Sequence, residues 1–335
     1  MPVSLKIVKH PKGLPLRQVL KAHSRKEEIP MKNKKKSGGM SLQTRRKIQP
    51  YLYVGPVLLL LVLMFGYPLI DSIIMSFQSY KLSKPNAIAW NDFQNYVKMF
   101  TDKNFWLLVK NSLIYVVAAV LGQFLLGLGL ALALNGKFKG RGIYQSIVFL
   151  PWAFSAFVVG LLFRWSFNGE YGVVNDILKK LGLIDKGISW LGTPGLSLAI
   201  VIIAMIWIGI PFFAINILAA LQSVPAEIYE AAEMDGCGTF RKFFSLTVPY
   251  IKPTIIMTLL LRTIWIFNSF DLVVIVTEGG PANYSQTLPS YMYSQAFSSY
   301  DFGLAGAFGV LLMVVLTAYA LIFMKITQYD KAGDF

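Results

Sequence analysis

The chain has 335 residues, of which 55% are hydrophobic and only 15% are charged, and its formal net charge is +15. Because a soluble domain carries about 25% charged residues, this composition excludes an ordinary water-soluble globule and favours lipid as the main solvent. Cys237 is the single cysteine, which excludes an intrachain disulfide. The two histidines, His10 and His23, lie far from it in the sequence, so no metal site is expected.

Residues 1–50 form a basic segment that contains 14 of the 32 lysine and arginine residues. The first long apolar block begins only at Tyr51, which is too deep and too long for a signal peptide. We interpret the segment as a mobile cytoplasmic tail that fixes topology. The alternative is a contact with the membrane surface through four apolar residues, Leu14, Leu16, Val19 and Leu20. Nucleic-acid binding is not expected, because no aromatic platform or known motif accompanies the charge.

Long apolar blocks follow the tail and predict an all-α membrane protein with about six transmembrane helices. A membrane-spanning helix needs about 20 predominantly apolar residues. Five stretches reach that length without a charge, namely residues 51–70, 111–134, 142–163, 196–221 and 302–324. A further stretch, 253–277, is apolar except for Arg262 and Asp271. The predicted transmembrane domain covers residues 51–330, with spans at about 51–77, 106–135, 142–165, 196–222, 253–277 and 302–325.

The distribution of lysine and arginine predicts the orientation of these spans, since both residues are enriched in cytoplasmic loops. An even number of spans places both termini on one side of the membrane. The basic tail and the short turn that contains Lys137, Lys139 and Arg141 place that side in the cytoplasm. Loops 78–105, 166–197 and 277–301 are then external, and loop 223–252 is cytoplasmic.

The cytoplasmic loop between the fourth and fifth spans has the pattern of a helix, a turn and a second short helix. Pro225 suits the first turn of a helix, where its missing N–H loses no partner. Gly236 and Gly238 stop that helix and permit a left-handed backbone. Pro249 and Pro253 are predicted to end the second helix. The sequence therefore predicts a compact two-helix projection into the cytoplasm.

The same loop resembles the "EAA" loop of permeases from binding-protein-dependent ABC importers. Glu230, Ala231 and Ala232 are followed by Asp235 and Gly236, and then by Leu246-Thr247-Val248-Pro249 at the spacing of that family. The family prefers isoleucine and leucine where Leu246 and Val248 stand, and both changes are conservative. The resemblance implies the type I ABC importer permease fold, in which this loop is the coupling helix seated in a cleft of the ATPase. It assigns coupling to Glu230, Ala231, Ala232, Asp235, Gly236, Arg241 and Pro249.

Other segments resemble the carbohydrate-uptake branch of these permeases, which includes the maltose and glycerol-3-phosphate permeases. They are Phe149–Pro151, Asn168–Gly172, Phe267–Asp271, Thr277–Pro281, Tyr291–Phe297 and Phe302-Gly303. The resemblance covers roughly residues 50–330 and implies import of a sugar or oligosaccharide across the bacterial inner membrane, with both termini cytoplasmic. An ABC permease for a non-sugar solute is the first alternative, and an ion-coupled secondary transporter is the second. Such transporters often carry inverted repeats, and none is recognisable here.

The sequence contains no G-x-x-x-x-G-K-[ST] phosphate-binding loop. We therefore expect no cofactor in this chain and no catalytic residues, and a partner ATPase would bind ATP and magnesium. The resemblance implies a second permease subunit, two ATPase subunits and an extracytoplasmic solute-binding protein as partners. A membrane enzyme is not favoured, because no paired catalytic carboxylates, metal ligands or nucleophile motif occurs in the spans.

The polar and aromatic residues of the fourth and fifth spans are the candidates for a substrate path. An arginine at the membrane centre costs about 2.5–3.5 kcal/mol, so Arg262 should face the protein interior or water. It either lines the path or forms a structural pair with a polar neighbour. Asn268 and Asp271 are predicted near the same helix face. Trp207, Phe212, Phe213 and Asn216 would offer stacking and a hydrogen bond to a sugar, or simply pack between helices.

Overall fold

The computed structural model describes residues 42–136 and 138–327, and the chain divides into two units, Met1–Leu63 and Met64–Phe335. Most of the predicted basic tail therefore lies outside the described residues. In the first unit, helix α1 spans Leu42–Leu61. Residues 42–50, assigned to the tail by their charge, are thus the first turns of α1, in keeping with the helix propensity of leucine, glutamine, arginine and lysine.

A π-helical stretch, Val62–Gly66, follows α1, and further α-helices make up the second unit. In chain order they are α2 (Tyr67–Ser76), α3 (Gln94–Thr101), α4 (Phe105–Asn135), α5 (Arg141–Phe149), α6 (Ala156–Ser166), α7 (Val173–Lys180), α8 (Leu196–Gln222), α9 (Ala226–Met234), α10 (Thr239–Lys242), α11 (Val248–Asn268), α12 (Asp271–Thr277), α13 (Leu288–Phe297) and α14 (Phe302–Thr327). Within the described residues, β-structure is confined to two isolated bridges. The all-α fold class is confirmed.

Five continuous helical stretches have the length and apolar character to cross a membrane: Tyr53–Ser76, Phe105–Asn135, Leu196–Gln222, Thr239–Asn268 and Phe302–Thr327. A sixth is a pair of helices, Arg141–Ala153 and Ala156–Ser166, bent by 90° at the break between them. The prediction of about six spans is confirmed if this pair counts as one span.

The third span is broken, whereas the sequence predicts a continuous helix over 142–165. Helix α5 passes into a short 3-10 helix, Leu150–Ala153, and Phe154 then adopts an extended conformation. Pro151 lies in the 3-10 turn, and the Ser155 hydroxyl accepts a hydrogen bond from the Val158 amide at 3.3 Å, which caps α6. A proline followed by a serine N-cap ends one helix and starts another.

The fifth span also differs from its predicted bounds of 253–277. The helical run starts at Thr239, passes through a π-helix at Phe243–Thr247 and ends at Asn268. Neither Pro249 nor Pro253 ends this helical run. Pro249 lies in the first turn of α11, directly after the π-helix, where its missing N–H loses no α-helical partner. Pro253 lies inside α11. Ser269 is extended, so Asp271–Thr277 forms the separate helix α12.

Helices α4 and α8 form the centre of the core, and small residues let their backbones approach closely. A Cβ atom added to Gly127 would lie 2.5 Å from the Phe213 Cβ atom. One added to Gly122 would lie 2.5 Å from the Ile206 Cδ1 atom. Phe213 is fully buried in this contact and packs edge-on against Phe124, with ring centroids 5.8 Å apart.

Asp301 is a buried carboxylate immediately before α14, and it fastens two distant segments to that helix. One oxygen accepts from the Leu304 amide at 3.1 Å, and the other lies 2.9 Å from Lys81 Nζ and 3.2 Å from Lys98 Nζ. Burial alone would raise the pKa of Asp301, but the two lysines and the Leu304 amide hold it below its ordinary value.

Asp301→Asn should lower the apparent Tm of the purified protein by about 3–5 °C, from a loss of about 1–2 kcal/mol. Because the folded-state pKa of Asp301 is depressed, its contribution is present above the unfolded pKa of about 4 and is lost as pH falls through the folded-state pKa. The difference from wild type should be constant over about pH 5–7 and shrink below about pH 4 in thermal melts.

Asp176→Asn is the matched control, because Asp176 pairs with Lys180 at 2.7 Å on an exposed helix surface. Exposed pairs contribute little, so its Tm should stay within about 1 °C of wild type. Equal Tm values for all three proteins at neutral pH would contradict the structural role of Asp301.

Candidate functional sites

The predicted coupling segment is built on α9, which ends in a left-handed turn at Gly236. Gly236 has φ +70°, its amide donates to the Glu233 carbonyl at 3.0 Å, and the Cys237 amide donates to the Ala232 carbonyl at 2.9 Å. These two bonds define a Schellman motif, which satisfies the last carbonyls of the helix and favours glycine at the left-handed position. The predicted helix stop at Gly236 is therefore present.

One side of the coupling segment is fixed to its own chain. Ala232 is buried, and Tyr229 exchanges a hydrogen bond of 2.9 Å with the Thr247 hydroxyl. Lys242 pairs with Glu233 at 2.7 Å. These contacts hold α9 against the start of the fifth span.

The other side of the segment is exposed and unusually apolar. The exposed members of the predicted coupling set are Glu230, Ala231, Asp235, Gly236 and Arg241. Met234 and Phe240 are 89% and 83% exposed, and neither belongs to the predicted coupling set. The sequence signal for this exposed apolar surface was the presence of large apolar side chains in a loop that is predicted to leave the membrane. Pro249 stands apart, half-buried in the first turn of α11.

A polar clamp joins three spans in the interior of the second unit. Gln123 of α4 donates through Nε2 to the Met205 carbonyl of α8 at 2.6 Å, and its Oε1 accepts from Arg262 Nε of α11 at 2.7 Å. Gly209 makes room for the amide, since a Cβ atom there would lie 2.2 Å from the Gln123 Cδ atom. Arg262 is thus buried with a polar neighbour, as one of its two sequence interpretations expects.

Aromatic rings surround the guanidinium beside this clamp. Its central carbon lies 5.6 Å from the centroid of the Phe212 ring, a cation–π distance. The Phe212 ring contacts Trp265 at 5.3 Å and Trp152 at 6.0 Å between centroids. Arg262, Trp152, Trp265 and Ser269 line a cavity of about 150 Å³. The cavity combines one charge, one hydroxyl and aromatic surface.

The remaining predicted path residues lie outside this cavity. Trp207 stacks on Phe154 at 6.4 Å, and Phe213 belongs to the helix contact with Gly127. Asn216 donates to the Phe212 carbonyl at 2.7 Å, within its own helix. All three therefore have packing or helix-internal contacts.

Asn268 and Asp271 do not share a helix face with Arg262, because the chain is extended between α11 and α12. Both side chains are exposed, and Asn268 donates to the Ile264 carbonyl at 3.2 Å. The expectation of one face is wrong, since Ser269 breaks the helical register between them.

Gln123, Trp265 and Ser269 were not predicted as residues of the site. The signal for Gln123 was its position as the single amide side chain between Val116 and Leu134.

A second cavity, of about 420 Å³, lies at the C-terminal ends of α6 and α12. Arg164 lines it and donates to Glu278 at 2.9 Å and to the Ile275 carbonyl at 3.1 Å. Asn168 and Tyr171, from the segment Asn168–Gly172, also line it. The predicted external loops thus form a polar depression next to the spans.

Apolar spans around a cavity that holds a charged side chain, together with an exposed helix joined to one span, are features of a membrane permease. The sequence profile of the family "Binding-protein-dependent transport system inner membrane component" matches residues 123–328. The chain belongs to this family of ABC importer permeases, and the predicted resemblance and fold are confirmed.

Individual relatives extend the similarity over most of the chain. The sulfoquinovosyl glycerol transport system permease protein SmoG of Agrobacterium fabrum is 35% identical over 83% of this chain and 89% of the relative. The trehalose/maltose transport system permease protein MalF of Thermococcus litoralis is 30% identical over 84% of this chain and 94% of the relative. A crystal structure of a bacterial ABC transporter that imports the acidic polysaccharide alginate matches with TM-score 0.74 and 26% identity, covering 85% of this chain and 97% of the other.

Proposed function

We propose that this protein is the membrane-spanning subunit of an ATP-driven importer that translocates a saccharide delivered by an external binding protein. The match of residues 123–328 to the importer family carries this proposal. The cavity beside Arg262 supports it, because aromatic rings stack on the C–H faces of sugars while a charge and a hydroxyl meet their polar groups. The relatives support it, since several matched permeases are named for saccharide transport, among them those for sulfoquinovosyl glycerol, trehalose/maltose, diacetylchitobiose and arabinooligosaccharides.

Coupling to ATP hydrolysis is assigned to the exposed side of α9 and the turn that follows it. The exposed apolar residues Met234 and Phe240 suit burial in a cleft of a partner ATPase. Glu230 is exposed on the same helix and would pair with a cationic ATPase residue. Closure of the ATPase dimer would move α9, and the Tyr229–Thr247 and Glu233–Lys242 contacts would pass that motion to the fifth span.

Transport follows alternating access, in which ATP binding and hydrolysis shift the bundle between outward-facing and inward-facing states. The binding protein would dock on the predicted external loops, where the cavity beside Arg164 opens. A structure similar to this chain, with TM-score 0.72 and 26% identity, is an alginate ABC transporter in complex with an alginate pentasaccharide-bound periplasmic protein. A second permease subunit would complete the pathway beside the half-exposed rings of Trp152 and Trp265.

The decisive experiment is co-expression with candidate ATPase, second permease and binding-protein subunits, followed by reconstitution in lipid vesicles. We expect the ATPase to co-purify with this chain and saccharide uptake to require ATP. Solute uptake driven by an ion gradient, with this chain alone in the vesicle, would instead assign it to secondary transport.

The proposed orientation places Cys237, the single cysteine, on the cytoplasmic side. It follows the exposed coupling turn and is partly accessible. A membrane-impermeant maleimide should label it in inside-out vesicles and leave it unlabelled in intact spheroplasts, with Cys237→Ser as the unlabelled control. Labelling in spheroplasts before lysis would invert the topology and refute the coupling assignment.

A further inference from the structure

We propose that the transported saccharide carries an anionic group, a carboxylate or a sulfonate, and that the guanidinium of Arg262 binds it in the cavity. The inference rests on the proposed saccharide import and adds the chemical class of the cargo. Its basis is a buried positive charge that faces a cavity without an anion of its own.

Arg262 uses only part of its hydrogen-bonding capacity within the chain. Its Nε donates to Gln123, and one terminal nitrogen contacts the Met205 sulfur, a weak acceptor, at 4.0 Å. Among residues 42–136 and 138–327, the ion pairs shorter than 4.0 Å do not include Arg262. Asp271, the nearest acid in sequence, is exposed on the next helix. Among the described residues, the hydrogen-bond partners of the guanidinium are therefore neutral.

The surroundings orient the guanidinium for a ligand. The amide of Gln123 fixes the Nε edge, and the Phe212 ring covers one face at 5.6 Å. The terminal nitrogens of Arg262, which bind carboxylates in a fork geometry, take no part in the bond to Gln123. Arg262 lines the cavity together with the Ser269 hydroxyl and the rings of Trp152 and Trp265. An anionic sugar would place its charge on the guanidinium and its ring on the aromatic surface.

The charge also selects against neutral sugars. A neutral sugar entering this cavity would remove water from the guanidinium without supplying a counter-charge, which is unfavourable in a poorly solvated site. An anionic group supplies that charge together with hydrogen bonds, so the same cavity discriminates between two sugars of similar shape. A structural role alone would be fulfilled by the bond between Nε and Gln123.

The first test uses the reconstituted complex with its binding protein and matched pairs of saccharides offered as one mixture. Suitable pairs are digalacturonate with galactobiose, and sulfoquinovosyl glycerol with glucosyl glycerol. Mass spectrometry of the vesicle lumen should show that the acidic member of a transported pair accumulates at least about tenfold over the neutral one. Equal or greater accumulation of the neutral member would overturn the inference and leave saccharide import intact. ATP-dependent accumulation of no saccharide would contradict the proposed import itself.

The second test neutralises the charge in place. Gln123→Glu puts a carboxylate at the position 2.7 Å from Arg262 Nε, and this internal anion should reduce uptake of the acidic saccharide about tenfold or more while the complex still assembles. The carboxylate also removes the Nε2 donor to the Met205 carbonyl, so a purely structural clamp predicts an equal loss of acidic and neutral uptake. That equal loss, or unchanged uptake of the acidic saccharide, would overturn the inference.

A comparison at position 262 keeps the test decisive if Gln123→Glu impairs assembly. Arg262→Lys retains the charge and should keep measurable uptake of the acidic saccharide, whereas Arg262→Gln should lose it and gain relative uptake of the neutral member. Equal acidic-to-neutral uptake ratios in the two variants would show that the charge does not select the cargo.

Discussion

Gly127→Leu is expected to destabilise the packing of the helix bundle. The new side chain would enter the contact where an added Cβ already lies 2.5 Å from the Phe213 Cβ atom and 3.1 Å from the Ala214 amide nitrogen. Both neighbours belong to helix α8, which is central in the core, so neither has space to withdraw. Overpacking of this kind costs roughly 3 kcal/mol, which corresponds to a fall in Tm of about 6–12 °C. Heating followed by fluorescence-detected size-exclusion chromatography would measure it.

Gly129→Leu is the matched control, because it lies two residues further along the same helix with no atom within 4 Å of an added Cβ. It makes the same change in composition and helix propensity. Its Tm should stay within about 2 °C of wild type. Similar losses in both variants would show that the close approach of α4 and α8 does not govern stability.

Gly236→Leu is expected to abolish uptake while the chain still inserts into the membrane. Gly236 has φ +70°, and leucine in the left-handed region costs about 1–2 kcal/mol, enough to change the backbone at the end of α9. Because an added Cβ at Gly236 meets no atom within 4 Å, backbone strain and the exposed bulk cause the effect rather than an internal clash. Uptake in vesicles and co-purification of the ATPase would measure it.

Gly182→Leu separates backbone strain from coupling. Gly182 also has φ +70° with open space around it, and its amide and that of Leu183 close the end of α7 by bonds of 3.0 Å to Lys179 and Leu178. The variant therefore carries the same strain in a predicted external loop. We expect it to retain the ATPase on purification, whereas Gly236→Leu loses it. Loss of the ATPase from both variants would refute a specific role for the turn at Gly236.

The sequence predicts the number and approximate positions of the spans, because crossing lipid requires long stretches without charge. It does not predict where those spans break. Glycine and proline are tolerated in membrane helices when neighbours satisfy the backbone, so Pro151 and Pro253 look alike in the sequence. In the structure, Pro151 lies at a 90° bend, while Pro253 lies inside a continuous helix.

The helix and turn of the predicted coupling segment could be predicted because the residues that stop the helix and form the turn are neighbours in sequence. The cavity could be predicted only in part. Arg262 was identified by the cost of its charge, but its partner Gln123 is 139 residues away and meets it through helix packing. Asn268 and Asp271 were misplaced because an uninterrupted helical period was assumed across Ser269, which is extended.

The amide of Gln123 limits how the bundle can change shape. It is bonded to both α8 and α11, so these helices and α4 cannot slide past one another unless two buried hydrogen bonds break together. The sides of the cavity that α8 and α11 contribute are therefore held in one arrangement. Trp152 and Leu272 also line the cavity but belong to neighbouring elements outside this clamp, so a change in the width of the cavity would fall between those elements and the clamped helices.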